Sequence, residues 1–366
     1  MEENRKYWVA LNLVLAENLR AAKKIADHFP GIQDAFEASS NDLKALGIDE
    51  NTARAVTSSQ IVDRASIEIE RLHKKNCRIL TLEDEEYPEY LREIFDPPFV
   101  LYCAGKVETL HRPAVSIVGT RRASPYGKAV TQRLAAELAS RGVVVVSGMA
   151  RGIDSAAHQG ALKKGETVAV LGSGLENIYP RENRSLYERI VEKGAVITEF
   201  PPQSPPLGFH FPIRNRIISG LCLALVVVEA ARRSGSLISA RLALEQNREV
   251  MAVPGNVTSR VSQGTNWLIQ SGAKLVEDWE DVAEELPSPL KEELLSQKEE
   301  KRPELPPLND RERRIYQFLK PDSAVHIDEL VEKSDFSVSE VLSILLSLEL
   351  KDLVSQSPGK YFQRRW

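Results

Sequence analysis

The 366-residue chain is poor in several features, and each shortage closes a class of function. Three cysteines, Cys77, Cys103 and Cys222, lie far apart, which excludes a disulfide framework and suits a reducing cytoplasm. The six histidines are equally scattered and share no zinc-ligand spacing with the cysteines, so no metal is expected. No apolar run reaches the ~18 residues of a membrane span. The amino terminus, MEENRKYWVALNLVLAENLRAA, opens with acids and has no small-residue cleavage site, so neither a signal peptide nor membrane association is expected. A Walker-type GK[ST] is absent, which leaves ATP hydrolysis without its lysine, and there is no G-x-S-x-G nucleophile elbow.

Hydrophobic content of 42% and charged content of 27% are ordinary for a globular chain, and the length allows two or three domains. The net charge of -4 conceals an uneven distribution. Residues 1–70 hold 8 Lys/Arg against 12 Asp/Glu, and residues 308–366 hold 9 against 10. Residues 111–260 hold 20 against 11, and 16 of the 20 are arginine. Contact with a polyanion therefore belongs to the middle of the chain.

Four regions follow in order. Residues 1–70 read as a small helical domain, with Tyr7, Trp8, Leu11, Leu15 and Leu19 at helical spacing and a capped start at Ser40-Asn41-Asp42. Its stretch DHFPGIQDAFEASSNDLKALGIDENTARAV resembles helix-hairpin-helix or SAM-like modules, but it is acidic and offers only Pro30-Gly31 at the first hairpin position. A structural or protein-contact role is expected there. Residues 71–285 form the main domain. Two short strands come first, near 78–82 and 99–102. Apolar strands then alternate with helices, at Val115–Val118, Val143–Val146, Val168–Leu171, Ala195–Thr198, Leu223–Val228 and Val250–Val253. Strands apolar at consecutive residues and separated by helices predict an α/β, Rossmann-like, doubly wound and mostly parallel sheet. Residues 286–307 are rich in proline and charge and read as a linker, and 308–366 read as a winged helix of three helices and a hairpin around Ser357-Pro358-Gly359. The segment Val338 to Glu349, its expected recognition helix, has no Lys or Arg, so a protein-contact or regulatory role is expected of it.

The chemistry sits in the turns that follow the strands. Gly119-Thr120-Arg121-Arg122-Ala123-Ser124 follows the first and Ser147-Gly148-Met149-Ala150-Arg151-Gly152 the second. Gly172-Ser173-Gly174 follows the third, and Ser234-Gly235-Ser236 opens a helix after the fifth. Glycines allow close approach of backbone to ligand, and helix-terminal N–H groups with hydroxyls attract anions. Arg214, Asn215 and Arg216 lie just before the fifth strand, and arginine is the residue for bidentate phosphate contact. The candidate nucleic-acid contacts are thus Gly119, Thr120, Arg121, Arg122, Ser124, Gly148, Arg151, Phe211, Arg214, Asn215, Arg216, Ser234, Gly235 and Ser236, with Phe211 (and Phe209) placed to stack a base. A dinucleotide enzyme is disfavoured, because the first turn is GTRRAS rather than GxGxxG and the second strand ends in Val146-Ser147 rather than in an acid. Asp154 is expected to orient an arginine or cap its helix, and Glu229 to position the arginine-rich turn, so no catalytic residue and no cofactor are assigned.

The runs IVGTRRASPYG, VVSGMARGIDSAAHQGAL, GSGLENIYPREN, ITEFPP, HFPIRNRIISGL and VVVEAARRSGSLISARLALEQNREVMAVPGNV resemble, in order, the DNA-processing protein A (DprA/Smf) family of bacteria. The resemblance implies a non-enzymatic, cytoplasmic protein that binds single-stranded DNA without sequence preference during natural transformation. It also implies protection of incoming strands, loading of the RecA recombinase with displacement of single-strand-binding protein, and a homodimer formed through the Rossmann-like domain. The alternative is a phosphoribohydrolase-like enzyme or a sensor of a small nucleotide. The PGGxGT-type turn of those enzymes is replaced here by SGSLISA.

Overall fold

Short runs rich in β-branched and small apolar residues form most strands of a computed structural model that describes residues 2–297, 307–320, 323–351 and 353–364. The strands are β1 (Cys77–Thr81), β2 (Val100–Gly105), β3 (Ala114–Val118), β4 (Val144–Ser147), β5 (Thr167–Val170), β6 (Ala195–Thr198), β7 (Ala224–Val227), β8 (Glu249–Ala252) and β9 (Lys274–Leu275). They pair in the order β1-β2-β6-β5-β4-β3-β7-β8-β9. From β6 to β9 all pairs are parallel, whereas β1 and β2 are antiparallel additions at one edge. The expected Rossmann-like sheet is present, and the two short strands before it are part of the same sheet.

Strands buried on both faces need apolar residues at successive positions, and that is how they are used. Val144 and Val146 point into one core with Ile217, Leu221 and Ala243. Val145 points into the opposite one with Leu134, Leu138 and Ile153. The helices Pro125–Ser140 and Ile153–Lys164 approach closely because Gly160 has no side chain; a Cβ there would lie 2.8 Å from Gln132 Cα.

The chain reverses direction across the sheet between β3 and β7. β4, β5 and β6 run out on one side of β3, and β7 and β8 on the other. The carboxyl ends of β3 and β7 therefore flank a topological switch point, where open α/β sheets leave a crevice.

Six helices occupy Glu2 to Lys74, and they share a core with the sheet. Leu11, Ile25 and Leu72 belong to one cluster with Tyr102, Ala169, Leu186 and Val196. The linker expected over 286–307 is shorter at its start. Leu290–Ser296 is a helix whose Leu294 is buried against the sheet's helical layer, because Leu290 and Leu294 share one face. Residues 298–306 of that stretch lie outside the described residues.

The winged helix has its own core. Its helices are Asp310–Phe318, Ile327–Ser334 and Val338–Leu350, and β10 (Val325–His326), β11 (Val354–Ser357) and β12 (Tyr361–Arg364) form its sheet. Glu312 is tied to Lys351 Nζ at 2.7 Å and to Ser347 Oγ at 2.6 Å. Those two bonds hold its carboxyl well down, at about 2.

Two outcomes follow from this packing. Gly160→Val forces apart the two helices that meet there and destabilises the protein by about 1–3 kcal/mol, read from the urea midpoint. The depressed Glu312 carboxyl stabilises the fold fully above its unfolded value of about 4.3, and that contribution disappears as pH falls through about 2. In an acid titration followed by circular dichroism, Glu312→Gln therefore loses stability at neutral pH and shows less further loss than the parent between pH 5 and 2.

Candidate nucleic-acid interface

The crevice at the switch point is a cleft of about 350 Å³, within the range of small-ligand sites. Its lining includes Gly119 and Arg121 after β3, Ala150 and Asp154 after β4, Phe211, Arg214 and Asn215 from the helix His210–Gly220, and Ser234, Gly235, Ser236 and Ser239 after β7. Three of the four predicted turns thus meet in one place.

The first turn is held from below by Glu229. Its carboxylate accepts from Ser124 N–H at 2.9 Å and from Ser124 Oγ at 2.5 Å, and its backbone oxygen accepts from Thr120 N–H at 2.7 Å. Ser124 in turn caps the helix Pro125–Ser140 by accepting from Gly127 N–H, with Pro125 at the first helical position. Gly119 and Gly127 are required here. A Cβ would lie 2.6 Å from Ile153 Cγ1 at the former and 2.5 Å from Glu229 Oε2 at the latter. Arg121 and Arg122 remain exposed. The Arg121 guanidinium lies over the Phe211 ring, 5.1 Å from its centroid.

The second turn is shaped around Arg214. This side chain is 3% exposed and its Nη1 donates to Gly148 O at 2.8 Å and to Val170 O. A Cβ on Gly148 would come within 2.7 Å of Arg214 Cζ, so the glycine makes room for the guanidinium. Burial lowers the Arg214 guanidinium to about 10, against the charge of Asp154, and the Asp154 carboxyl is pushed up by its own burial against Arg214. Asp154 also accepts from Ala150 N–H at 3.3 Å, so it both faces an arginine and secures the turn. Arg214 Nε has no hydrogen-bond partner among the described residues.

The predicted residues separate at this point. Arg214 and Arg216 sit two apart on a helix, which turns them about 200° from each other, and only Arg214 reaches the cleft. Arg216 is 3% exposed and bonded to Glu199 at 2.5 and 3.0 Å, with Asp96 at 3.3 Å from Nε. Its place is in a buried ion pair. Arg151 is exposed and paired with Glu182 outside the cleft lining. Thr120, Arg122 and Ser124 border the lining without joining it.

The third turn behaves differently from the others. Gly172, Ser173 and Gly174 are buried, and Gly172 backs the Phe211 ring so closely that a Cβ would lie 2.8 Å from Phe211 Cδ1. After β7, Ser234 Oγ and Ser236 Oγ share a hydrogen bond of 2.8 Å at the start of the helix Ser236–Glu245, and Gly235 is open to solvent. Sequence reasoning missed Ser239 and Tyr179. Ser239 follows Ser236 by three, so it shares that helix face and was findable by periodicity. Tyr179 packs on Phe211 with centroids 5.7 Å apart, a contact between distant segments that carries no local signal.

The sequence model of the DNA recombination-mediator protein A family matches residues 78–287, and that of the DprA winged-helix domain matches 299–360. The chain belongs to the DNA recombination-mediator protein A family. It is similar to protein Smf of Escherichia coli, 40% identical over 80% of this chain and 79% of that one. Among solved structures it is similar to DNA processing protein A of Streptococcus pneumoniae, with a TM-score of 0.63 and 35% identity over 77% of this chain and 96% of the other. A second is DNA processing protein A of Helicobacter pylori, whose single-stranded-DNA-binding mode has been described. Its TM-score is 0.52, with 35% identity over 56% of this chain and 94% of that one. Among the described residues no helix is long and apolar enough to cross a membrane.

Removing Arg216 leaves Glu199 buried without its cation. Arg216→Ala should lose about 3–5 kcal/mol in urea unfolding, whereas the exposed Arg121→Ala should stay within about 0.5 kcal/mol of the parent.

Proposed function

We propose that this protein binds single-stranded DNA, without sequence preference, along the switch-point cleft. The observation that carries the reading is the convergence of Arg121, the buried Arg214 and the hydroxyl-bearing start of the helix Ser236–Glu245 around the Phe211 ring. Arginines and the hydroxyls of Ser234 and Ser236 suit phosphate oxygens, which are the same in every sequence. Phe211, with Tyr179 against it, suits a base, and stacking tolerates any of the four. Gly119, Gly235, Ser234, Ser236 and Asn215 complete the contact region, with Thr120, Arg122, Ser124, Arg151 and the Gly148 that seats Arg214 along its border. Arg216 acts by fixing the helix that carries Arg214. The described binding mode of the Helicobacter pylori relative supports this reading.

We further propose that the bound strand is incoming DNA of natural transformation in the cytoplasm, shielded and then passed to RecA as single-strand-binding protein is displaced. The family's description as a recombination mediator supports that role. A homodimer through the Rossmann-like domain is supported by the exposed Trp267, Val257 and Leu275, which lie on segments around the β8–β9 edge. The protein works in this scheme as a binding protein and not as an enzyme. The size of the cleft favours one second reading, occupancy by a single free nucleotide, which release of base from nucleoside monophosphates and competition by dTMP would reveal.

Fluorescence anisotropy of an oligo-dT at several salt concentrations tests the proposal. Log K should fall against log salt with a slope of about −0.7 for each phosphate contacted, and Arg121→Ala should weaken binding and flatten that slope. A flat response, or an unaffected Arg121→Ala, refutes it.

A further inference from the structure

The winged helix takes no part in the cleft, and its third helix has two apolar faces. Val341, Ile344, Leu345 and Leu348 fill the domain's core. Val338, Leu342, Leu346 and Leu350 do not, being 49%, 41%, 58% and 81% exposed. Residues four apart advance about 40° around a helix, so these four make one continuous stripe. Single exposed leucines need no explanation, but four in a row on the helix that would ordinarily meet a partner do.

The charge around the stripe selects among occupants. Residues 327–350, the second and third helices with their turn, hold six Asp/Glu and one Lys. Glu340 and Asp335 are engaged by Arg311 and Arg314, and Glu329 by Lys333. Among the described residues Glu349, which lies within the angular span of the stripe, has no ion-pair partner. A nucleic-acid phosphate would meet carboxylates and leucines in place of the arginine, lysine or amide groups that read a groove. A second copy of this helix pair would bring two acidic surfaces together.

We infer that the helix Val338–Leu350 is a docking face for an amphipathic helix of another protein, one whose apolar stripe is flanked by lysine or arginine. The leucine stripe supplies the apolar contact of a helix-on-helix interface, and Glu349 with the surrounding acids sets the charge of the partner. This assignment is independent of what the cleft binds.

The test uses the full chain and two synthetic helical peptides with the same leucine stripe, one flanked by lysines and one by glutamates. Anisotropy should show saturable binding of the lysine-flanked peptide and at least about tenfold weaker binding of the other. Leu346→Glu should weaken the lysine-flanked peptide about tenfold or more, while leaving thermal unfolding and oligo-dT binding unchanged because Leu346 is outside the winged helix's core and outside the cleft. Glu349→Lys should shift the preference toward the glutamate-flanked peptide. The inference is overturned if neither peptide binds, or if both bind equally and Leu346→Glu changes nothing. It is also overturned if sedimentation shows self-association, or gel shift shows duplex binding, that Leu346→Glu abolishes.

Discussion

Glu229 joins the two strand ends between which the cleft opens. One residue from the end of β7 holds the turn after β3 with its carboxylate and its backbone oxygen together. Helix capping, the missing side chains at Gly119 and Gly127, and the outward aim of Arg121 all depend on that tie. A carboxylate accepting from a hydroxyl and an amide stays in place without a cation, so the arginines of the turn stay available to an incoming anion. The apparent excess of arginine over acid near the cleft is therefore a matter of position as much as of number.

The two arginines of the His210–Gly220 helix show how the same residue type serves two ends. Arg216 gives both terminal nitrogens to the buried Glu199 carboxylate and anchors the helix to the end of β6. Arg214 is equally buried but is held mainly by backbone oxygens of the β4 turn and of β5, which orient it without cancelling its charge. Asp154 offsets part of the cost of burying that charge and secures the turn as well.

Much of this was legible in the sequence. Short apolar runs rich in valine and alanine locate β3 to β8, and the pairing of glycine turns with arginines points to the strand ends where the cleft opens. What sequence reading could not supply was direction. Arg214 and Arg216 look like one basic cluster until the helix separates them, and Gly172 looks like a ligand-facing glycine until the Phe211 ring is seen resting on it. Arg151 resembles its neighbours in composition and differs only because Glu182, thirty-one residues on, reaches it. The last two depend on contacts between segments remote in sequence, for which spacing offers no signal, whereas the parting of Arg214 from Arg216 is helical periodicity.

The core shared by the amino-terminal helices and the sheet has a thermodynamic consequence. Leu11, Ile25 and Leu72 cover Tyr102, Ala169 and Val196, so the helices of residues 2–74 are a wall of the main domain's interior. Heating should then melt helices and sheet as one cooperative unit, with the winged helix, built on a separate core, following its own transition. A chain begun at residue 75 would carry a bare apolar sheet face into water and would be held back from aggregation only by whatever else covered it.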